Sequence, residues 1–287
     1  MEVHAFNDFA ARLAALRSGL ATLIQQTQQA VQRTPVGIDA RRKIFVALPA
    51  YNEGLRLGQL LEKIGQTFAD NQLNYEIIVV DDGSSDDTAD IATMASKELP
   101  VRLVKHKQNL GLSGALNTCL RTSVESGNPG DIIITMDADD THPPKIIDRL
   151  ITAIDEGYDV AIASRYQHGS RVVGVPWNRI LLTIVASYMF RILMPIRGVR
   201  DYTCGYRAYK HSVLKDTINF YGDDFVSEQG FSCMVDVLLK MRRFNYVMGE
   251  VPFILRYDQK EGESKMPVGN TVIKTLKLFA KRRFGGY

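Results

Sequence analysis

Cysteine is scarce in this 287-residue chain. Cys119, Cys204 and Cys233 make an odd number, at no spacing that suits a metal-ligand set. That excludes a disulfide-stapled scaffold and fits reduced thiols in the cytoplasm, where the three serve as small packing residues. Long hydrophobic runs are missing too. The longest, Ile180 to Tyr188, contains Thr183 and Ser187 and falls far short of the ~20 residues that cross a bilayer. The opening MEVHAFND is acidic and polar, without the charged and apolar regions of a secretory leader. The expectation is a protein that is soluble or attached to a membrane surface without spanning it. Net charge is nearly absent, at +3, while 45% of residues are hydrophobic, which excludes disordered and collagen-like chains.

The small total hides a division. Residues 1–164 carry 15 basic and 22 acidic side chains, a net of −7, and residues 165–287 carry 20 and 10, a net of +10. One half is suited to hold cations and the other to meet anions.

Phe6, Phe9, Leu13, Leu16, Leu20 and Leu23 alternate spacings of three and four, which predicts a helix over 6–31 with one narrow apolar seam. Two readings stay open for that seam: packing on its own domain, or pairing with a second copy or a partner. Pro35, Gly37 and the basic Arg41, Arg42 and Lys43 mark residues 32–42 as a linker. From Lys43 onward short β-branched runs alternate five times with helical stretches: IFVALP, YEIIVVDD, VRLVKH, DIIITMDAD and YDVAIASR are the strands. Runs apolar on both faces, such as IIVV and IIIT, predict an α/β domain with a mostly parallel sheet flanked by helices. The expected organisation is residues 1–42 as helix and linker and 43–287 as one domain, with halves at 43–165 and 166–287.

In such sheets ligands bind beyond the carboxyl ends of the strands. There stand Pro49, Tyr51, Asn52 and Glu53, then Asp81, Asp82, Ser84, Ser85 and Asp86, then Asp137, Ala138, Asp139 and Asp140, then Arg165. Asp137 and Asp139 are two apart, so on an extended strand they point the same way. Two adjacent carboxylates repel unless a cation lies between them, and hard oxygen ligands favour Mg²⁺ or Mn²⁺. Ser84, Ser85 or Asp86 can instead cap the next helix, and Asp140 or Thr141 the helix opening at Pro143 and Pro144. Capping accounts for one acid per helix start, not for Asp81, Asp82, Asp137 and Asp139 together. NLGLSGA, residues 109–115, suits either an anion cradle or close backbone packing.

LPAYNEG, IIVVDDGSSDDT, NLGLSGALN, MDADDTHPP, IASRY, RDYTCGYRAYK and GESKM run in order from Leu48 to Met266. Together they resemble the family 2 glycosyltransferases of GT-A fold, in the polyprenyl-phosphate (dolichol-phosphate) mannosyltransferase branch. The resemblance implies that Pro49, Tyr51 and Glu53 line a nucleotide-sugar site, that Asp81 or Asp82 reads the base, and that Asp137 and Asp139, with Ala138 between them, hold a divalent ion on the donor pyrophosphate. It makes Asp139, Arg165, Lys265 and Asp236 the catalytic candidates, Arg165 and Lys265 as cations for phosphates, and it implies inversion at the anomeric carbon.

Three positions depart from the branch. Thr141 replaces a glutamine, Asp236 a glutamate, and Gln259 an arginine, with Arg256 or Lys260 nearby as substitutes. Residues 178–200 and 271–284 mix apolar residues with Arg179, Arg191, Arg197, Arg200, Lys274, Lys277, Lys281, Arg282 and Arg283. Basic amphipathic stretches of this kind lie in anionic membrane interfaces or pack on their own domain.

A lipid-phosphate acceptor needs no general base, because its oxygen is already anionic. A soluble glycan or other hydroxyl acceptor makes Asp236 or Glu228 the base candidate. The main expectation is metal-dependent hexose transfer from a GDP- or UDP-sugar to a polyprenyl phosphate at the cytoplasmic membrane face. A degenerate nucleotide-sugar-binding scaffold is the reading from a second class. No recognised nucleic-acid-binding module accompanies the basic residues.

Overall fold

The computed structural model describes residues 42–175, 177–230 and 232–256. The seam over 6–31, Gln259, Lys265 and the segment 271–284 lie outside the described residues.

Five strands form where the alternation predicts them: β1 Lys43–Ala50, β2 Asn74–Asp81, β3 Val101–Lys105, β4 Ile132–Thr135 and β5 Val160–Ser164. The helices between them are α1 Gly54–Asn71, α2 Thr88–Ala95, α3 Gly111–Ser126 and α4 Ile147–Asp155. Ile77, Ile78, Val79 and Val80 are all fully buried, as expected of a strand covered on both faces. Helix α1 buries Leu57, Leu60, Leu61, Ile64 and Phe68, one apolar stripe at helical spacing against the sheet. All three cysteines are buried and reduced, and burial pushes the thiols of Cys204 and Cys233 up to about 12.

After β5 come β6 Arg171–Val173, α5 Trp177–Leu193, β7 Arg207–Lys210, α6 His211–Tyr221, α7 Ser232–Met241, β8 Met248–Pro252 and β9 Ile254–Arg256. The main sheet has the order β3-β2-β1-β4-β7-β5-β8, and β6 pairs with β9 in a separate two-stranded sheet. The mostly parallel sheet is as expected, with one addition: β7 is inserted antiparallel between β4 and β5. An antiparallel strand begins where its parallel neighbours end. Arg207 therefore lies opposite Thr135 and Ile162, and the preceding residues 201–206 are delivered to the carboxyl edge that carries the acids.

Among the described residues, no helix is long and apolar enough to cross a membrane.

Candidate active site

The loops after β1 and β2 are stitched together. Asn52, in the left-handed region at φ 53°, donates its N–H to Ser84 Oγ at 2.9 Å and accepts the Ser85 N–H at 2.8 Å. Glu53 N–H donates to Thr88 Oγ1 at 2.9 Å. Asp86 takes the N–H groups of Gly54 at 3.0 Å and Thr88 at 3.1 Å, so one carboxylate closes the first turns of both α1 and α2. Slight burial works to raise the Asp86 carboxyl, but these hydrogen bonds prevail and hold it below its ordinary value. Pro49 and Glu53 are half-buried, and Tyr51 stands 40% exposed at the rim.

Asp81 and Asp82 are both buried. Asp81 Oδ1 accepts the Ser84 N–H at 3.0 Å. Asp82 Oδ1 lies 2.6 Å from His106 Nδ1 and accepts the Leu110 N–H at 2.9 Å, while His106 Nε2 is 3.0 Å from Thr118 Oγ1. His106 was absent from the sequence reading, although its place directly after β3 was the available signal. Gly83, at φ 71°, packs so closely that a Cβ there would lie 2.8 Å from the Gln108 carbonyl carbon. The Leu110 N–H on Asp82 ties the start of the glycine-rich turn to the end of β2, and the Gly111 N–H is held by Asn109 Oδ1.

Strand β4 stops at Thr135, so Asp137, Ala138 and Asp139 occupy a turn and strand alternation does not set their directions. Asp139 Oδ1 accepts the Thr141 N–H at 3.2 Å and the Thr141 hydroxyl at 2.6 Å. Thr141 thus orients the second aspartate. Asp140, at φ 58°, pairs with Lys63, and neither it nor Thr141 caps the short helix at Pro144–Ile146.

The β7 insertion brings Gly205 against this turn. A Cβ there would sit 3.4 Å from Asp137 Oδ1 and 3.1 Å from Met234 Cε, and Thr135 Oγ1 donates to the Gly205 carbonyl at 2.6 Å. Asp137 is about one-third exposed. Among the described residues no group of three His, Cys, Asp or Glu side chains is arranged for a metal. A Mg²⁺-type ion held by one or two carboxylates and completed by substrate phosphates and water needs no such group, so these hard oxygens fit a divalent ion that arrives with a phosphorylated ligand.

Arg165 forms a fork on Asp201, with Nε to Oδ2 at 2.8 Å and Nη2 to Oδ1 at 2.7 Å, and Nη2 also meets Thr203 Oγ1. Asp201 is fully buried. Burial alone would raise its carboxyl, but the Arg165 charge and hydrogen bonds more than reverse this and leave it below the ordinary range. Burial likewise works to lower the Arg165 guanidinium, and the Asp201 charge drives it up instead.

Glu250 Oε1 accepts the Asp201 N–H at 2.6 Å and also the Arg200 N–H; burial raises its carboxyl. Arg207, fully buried, braces the same region by donating to the carbonyls of Met234 at 2.7 Å and Tyr202 at 2.8 Å. Asp201, Glu250 and Arg207 were not among the sequence candidates.

Asp236 is fully buried as well. Its Oδ2 accepts from Lys240 Nζ at 2.7 Å and from the Ser227 hydroxyl at 3.0 Å. Lys240 also donates to the carbonyls of Asp224 and Phe225, so the pair holds the turn that leads to Glu228.

On α5, Phe190 and Ser187 are buried while Val185, Tyr188 and Ile192 are exposed, and Arg191 stacks over the Tyr188 ring at 5.0 Å. Beyond its end lies a cavity of about 430 Å³ lined in part by Arg191, Arg200, Tyr202 and Glu250.

Residues 45–218 match the family described as glycosyl transferase family 2. A dolichol-phosphate mannosyltransferase of Pyrococcus furiosus is 35% identical over 82% of this chain, and the chain spans 62% of that relative, less than two thirds of its length. A polyprenol monophosphomannose synthase of Mycolicibacterium smegmatis is 30% identical over 85% of this chain and 89% of its own. An undecaprenyl-phosphate mannosyltransferase of Micrococcus luteus is 30% identical over 85% and 97%. Among solved structures, glucosyl-3-phosphoglycerate synthase from Mycobacterium tuberculosis, in complex with Mn²⁺, uridine diphosphate and glucosyl-3-phosphoglycerate, matches with a TM-score of 0.61 at 20% identity, covering 88% of this chain and 85% of that one. That likeness concerns the fold.

Proposed function

The chain belongs to glycosyl transferase family 2, and on that premise we propose that it moves a hexose from a nucleoside diphosphate sugar to a polyprenyl phosphate at the cytoplasmic membrane face, with inversion. The observation that carries the reading is the carboxyl edge itself, where the Asp137–Asp139 turn, the stitched loops after β1 and β2 and the Arg165 fork converge in a chain similar to enzymes named for polyprenyl-phosphate acceptors.

In this reading Pro49, Tyr51 and Glu53 border the nucleotide, and Asp81 or Asp82 accepts the ring N–H of the base. Asp137 and Asp139 would hold Mg²⁺ or Mn²⁺, which when bound neutralises charge on the departing diphosphate. Thr141 and Gly205 keep those two aspartates in place.

A phosphate monoester is largely dianionic at neutral pH, with a second pKa of ~6, so its oxygen attacks without help from a base. Asp236, buried against Lys240, then acts by holding the turn before Glu228. Arg165 is already neutralised by Asp201. Its fork is taken up by Asp201, so it fixes the loop rather than adding net charge, and the acceptor's charge falls to other cations, Lys265 first. The two arginines of the α5 cavity, beside the exposed Val185, Tyr188 and Ile192, suit the head group of a lipid phosphate in a peripheral membrane contact.

The donor side is tested by thermal shift with GDP, UDP and their sugars, with and without Mn²⁺. A ligand at 100 times its Kd stabilises by about 2.7 kcal/mol, a rise on the order of 5 °C for a domain of this size. One base should stabilise selectively, and more so with Mn²⁺. No shift with any nucleotide would contradict the reading.

A further inference from the structure

We propose that His142 is a positioning residue for Asp137, holding both its backbone and its carboxylate from behind the turn. The Asp137 N–H donates to His142 Nδ1 at 3.1 Å. Nδ1 must then offer its lone pair, which assigns the ring proton to Nε2. Nε2 lies 3.8 Å from Asp137 Oδ2, too long for a hydrogen bond but close enough for the N–H dipole to act on the carboxylate. On the other side, Gly205 leaves room for Oδ1 where a Cβ would stand 3.4 Å away. The two oxygens are therefore bracketed by different elements.

The imidazole is itself fixed. It is 4% exposed, stacks on Tyr206 at 5.0 Å and makes a T-shaped contact with Phe253 at 5.9 Å. Both of those rings are buried, and Tyr206 Oη donates to the Pro143 carbonyl at 3.2 Å, tying the stack to the next residue. With one face on Tyr206 and Phe253 at its side, the buried ring cannot turn without opening the core, so its two nitrogens keep their assignments. Groups that orient a metal ligand in this way are worth 10–100-fold in metal affinity. The inference rests on the reading of Asp137 as a metal-holding residue.

The test is Mn²⁺ uptake by the full chain, followed by electron paramagnetic resonance with GDP or UDP present, alongside melting temperature for each variant. His142→Phe keeps a ring in the stack but offers neither nitrogen. Its Mn²⁺ half-saturation should rise by about 10–100-fold. His142→Asn restores an acceptor near the Nδ1 position, so it should regain most of the melting temperature while recovering only part of the Mn²⁺ affinity. That split separates a positioning role from a structural one. If wild type takes up Mn²⁺ and His142→Phe does so equally, or if His142→Asn recovers stability and affinity together, the inference on His142 is overturned while Asp137 keeps its role. If wild type takes up no Mn²⁺ with either nucleotide, the reading of Asp137 falls, and this inference with it.

Discussion

Arg165 and Asp201, 36 residues apart, face each other as a two-bond fork with distances of 2.8 and 2.7 Å, and the carboxylate is fully buried. Removing one partner of such a pair costs about 3–5 kcal/mol. Asp201→Asn preserves shape but leaves Arg165 facing a neutral amide, so a loss near ~3 kcal/mol is expected, or roughly 6 °C in melting temperature. Because the folded carboxyl lies below its ordinary value, its contribution is complete above the unfolded value of ~3.9 and vanishes as pH falls through the lower folded value. Denaturant melts should show a constant gap between wild type and variant from pH 5 to 8 that narrows below pH ~4. An unchanged gap in acid would mean that the ion pair is not its source.

Asp236→Asn separates a base from a brace. Lys240 would be left buried at 1% exposure without its charge partner, and a loss of about 3–5 kcal/mol follows. Turnover per folded molecule on a lipid phosphate should stay within about tenfold, since no proton has to leave the acceptor. A folded variant that loses ~100-fold or more in kcat would restore Asp236 as a base candidate.

Thr141→Val removes the hydroxyl that donates to Asp139 Oδ1 at 2.6 Å while keeping the side-chain volume. The Mn²⁺ concentration for half-maximal transfer should rise by about tenfold, with little change in kcat once the metal saturates. An unaltered metal requirement would show that Asp139 is oriented by its backbone turn alone.

The exposed stripe of α5 predicts membrane attachment. Ile192 is 74% exposed, and burying such a side chain is worth about 1.5–3 kcal/mol. Ile192→Ser with Tyr188→Ser should weaken sedimentation with anionic phospholipid vesicles by at least ~30-fold. Donor hydrolysis in free solution should stay as in wild type. Equal vesicle binding would remove α5 from the membrane account.

Much of this architecture was legible in the sequence because it follows from periodicity. IFVALP, IIVV and IIIT announce buried strands, and the acids after them stand at the edge where such sheets generally bind ligands. Three things were hidden for physical reasons. β7 is only four residues, Arg207–Lys210, with a basic residue at each end, and no alternation signal survives at that length.

The partnership of Arg165 with Asp201 joins residues that only the antiparallel insertion brings together. Strand alternation does not reach Asp137 and Asp139, because the strand has already ended at Thr135 and the turn, His142 and Gly205 take over. The resemblance located the aspartates, but the groups that hold them required the fold.

The central claim is transfer of a hexose to a polyprenyl phosphate. The most direct measurement gives the full chain radiolabelled GDP-mannose, and in parallel UDP-glucose, with Mn²⁺ and either a polyprenyl phosphate or the same polyprenol without its phosphate, and then counts label in the lipid fraction. The account predicts labelled lipid from one donor, only with the phosphorylated acceptor, and none in EDTA. Equal labelling of the free alcohol, or no labelled lipid from either donor while a soluble hydroxyl acceptor is glycosylated, would contradict it.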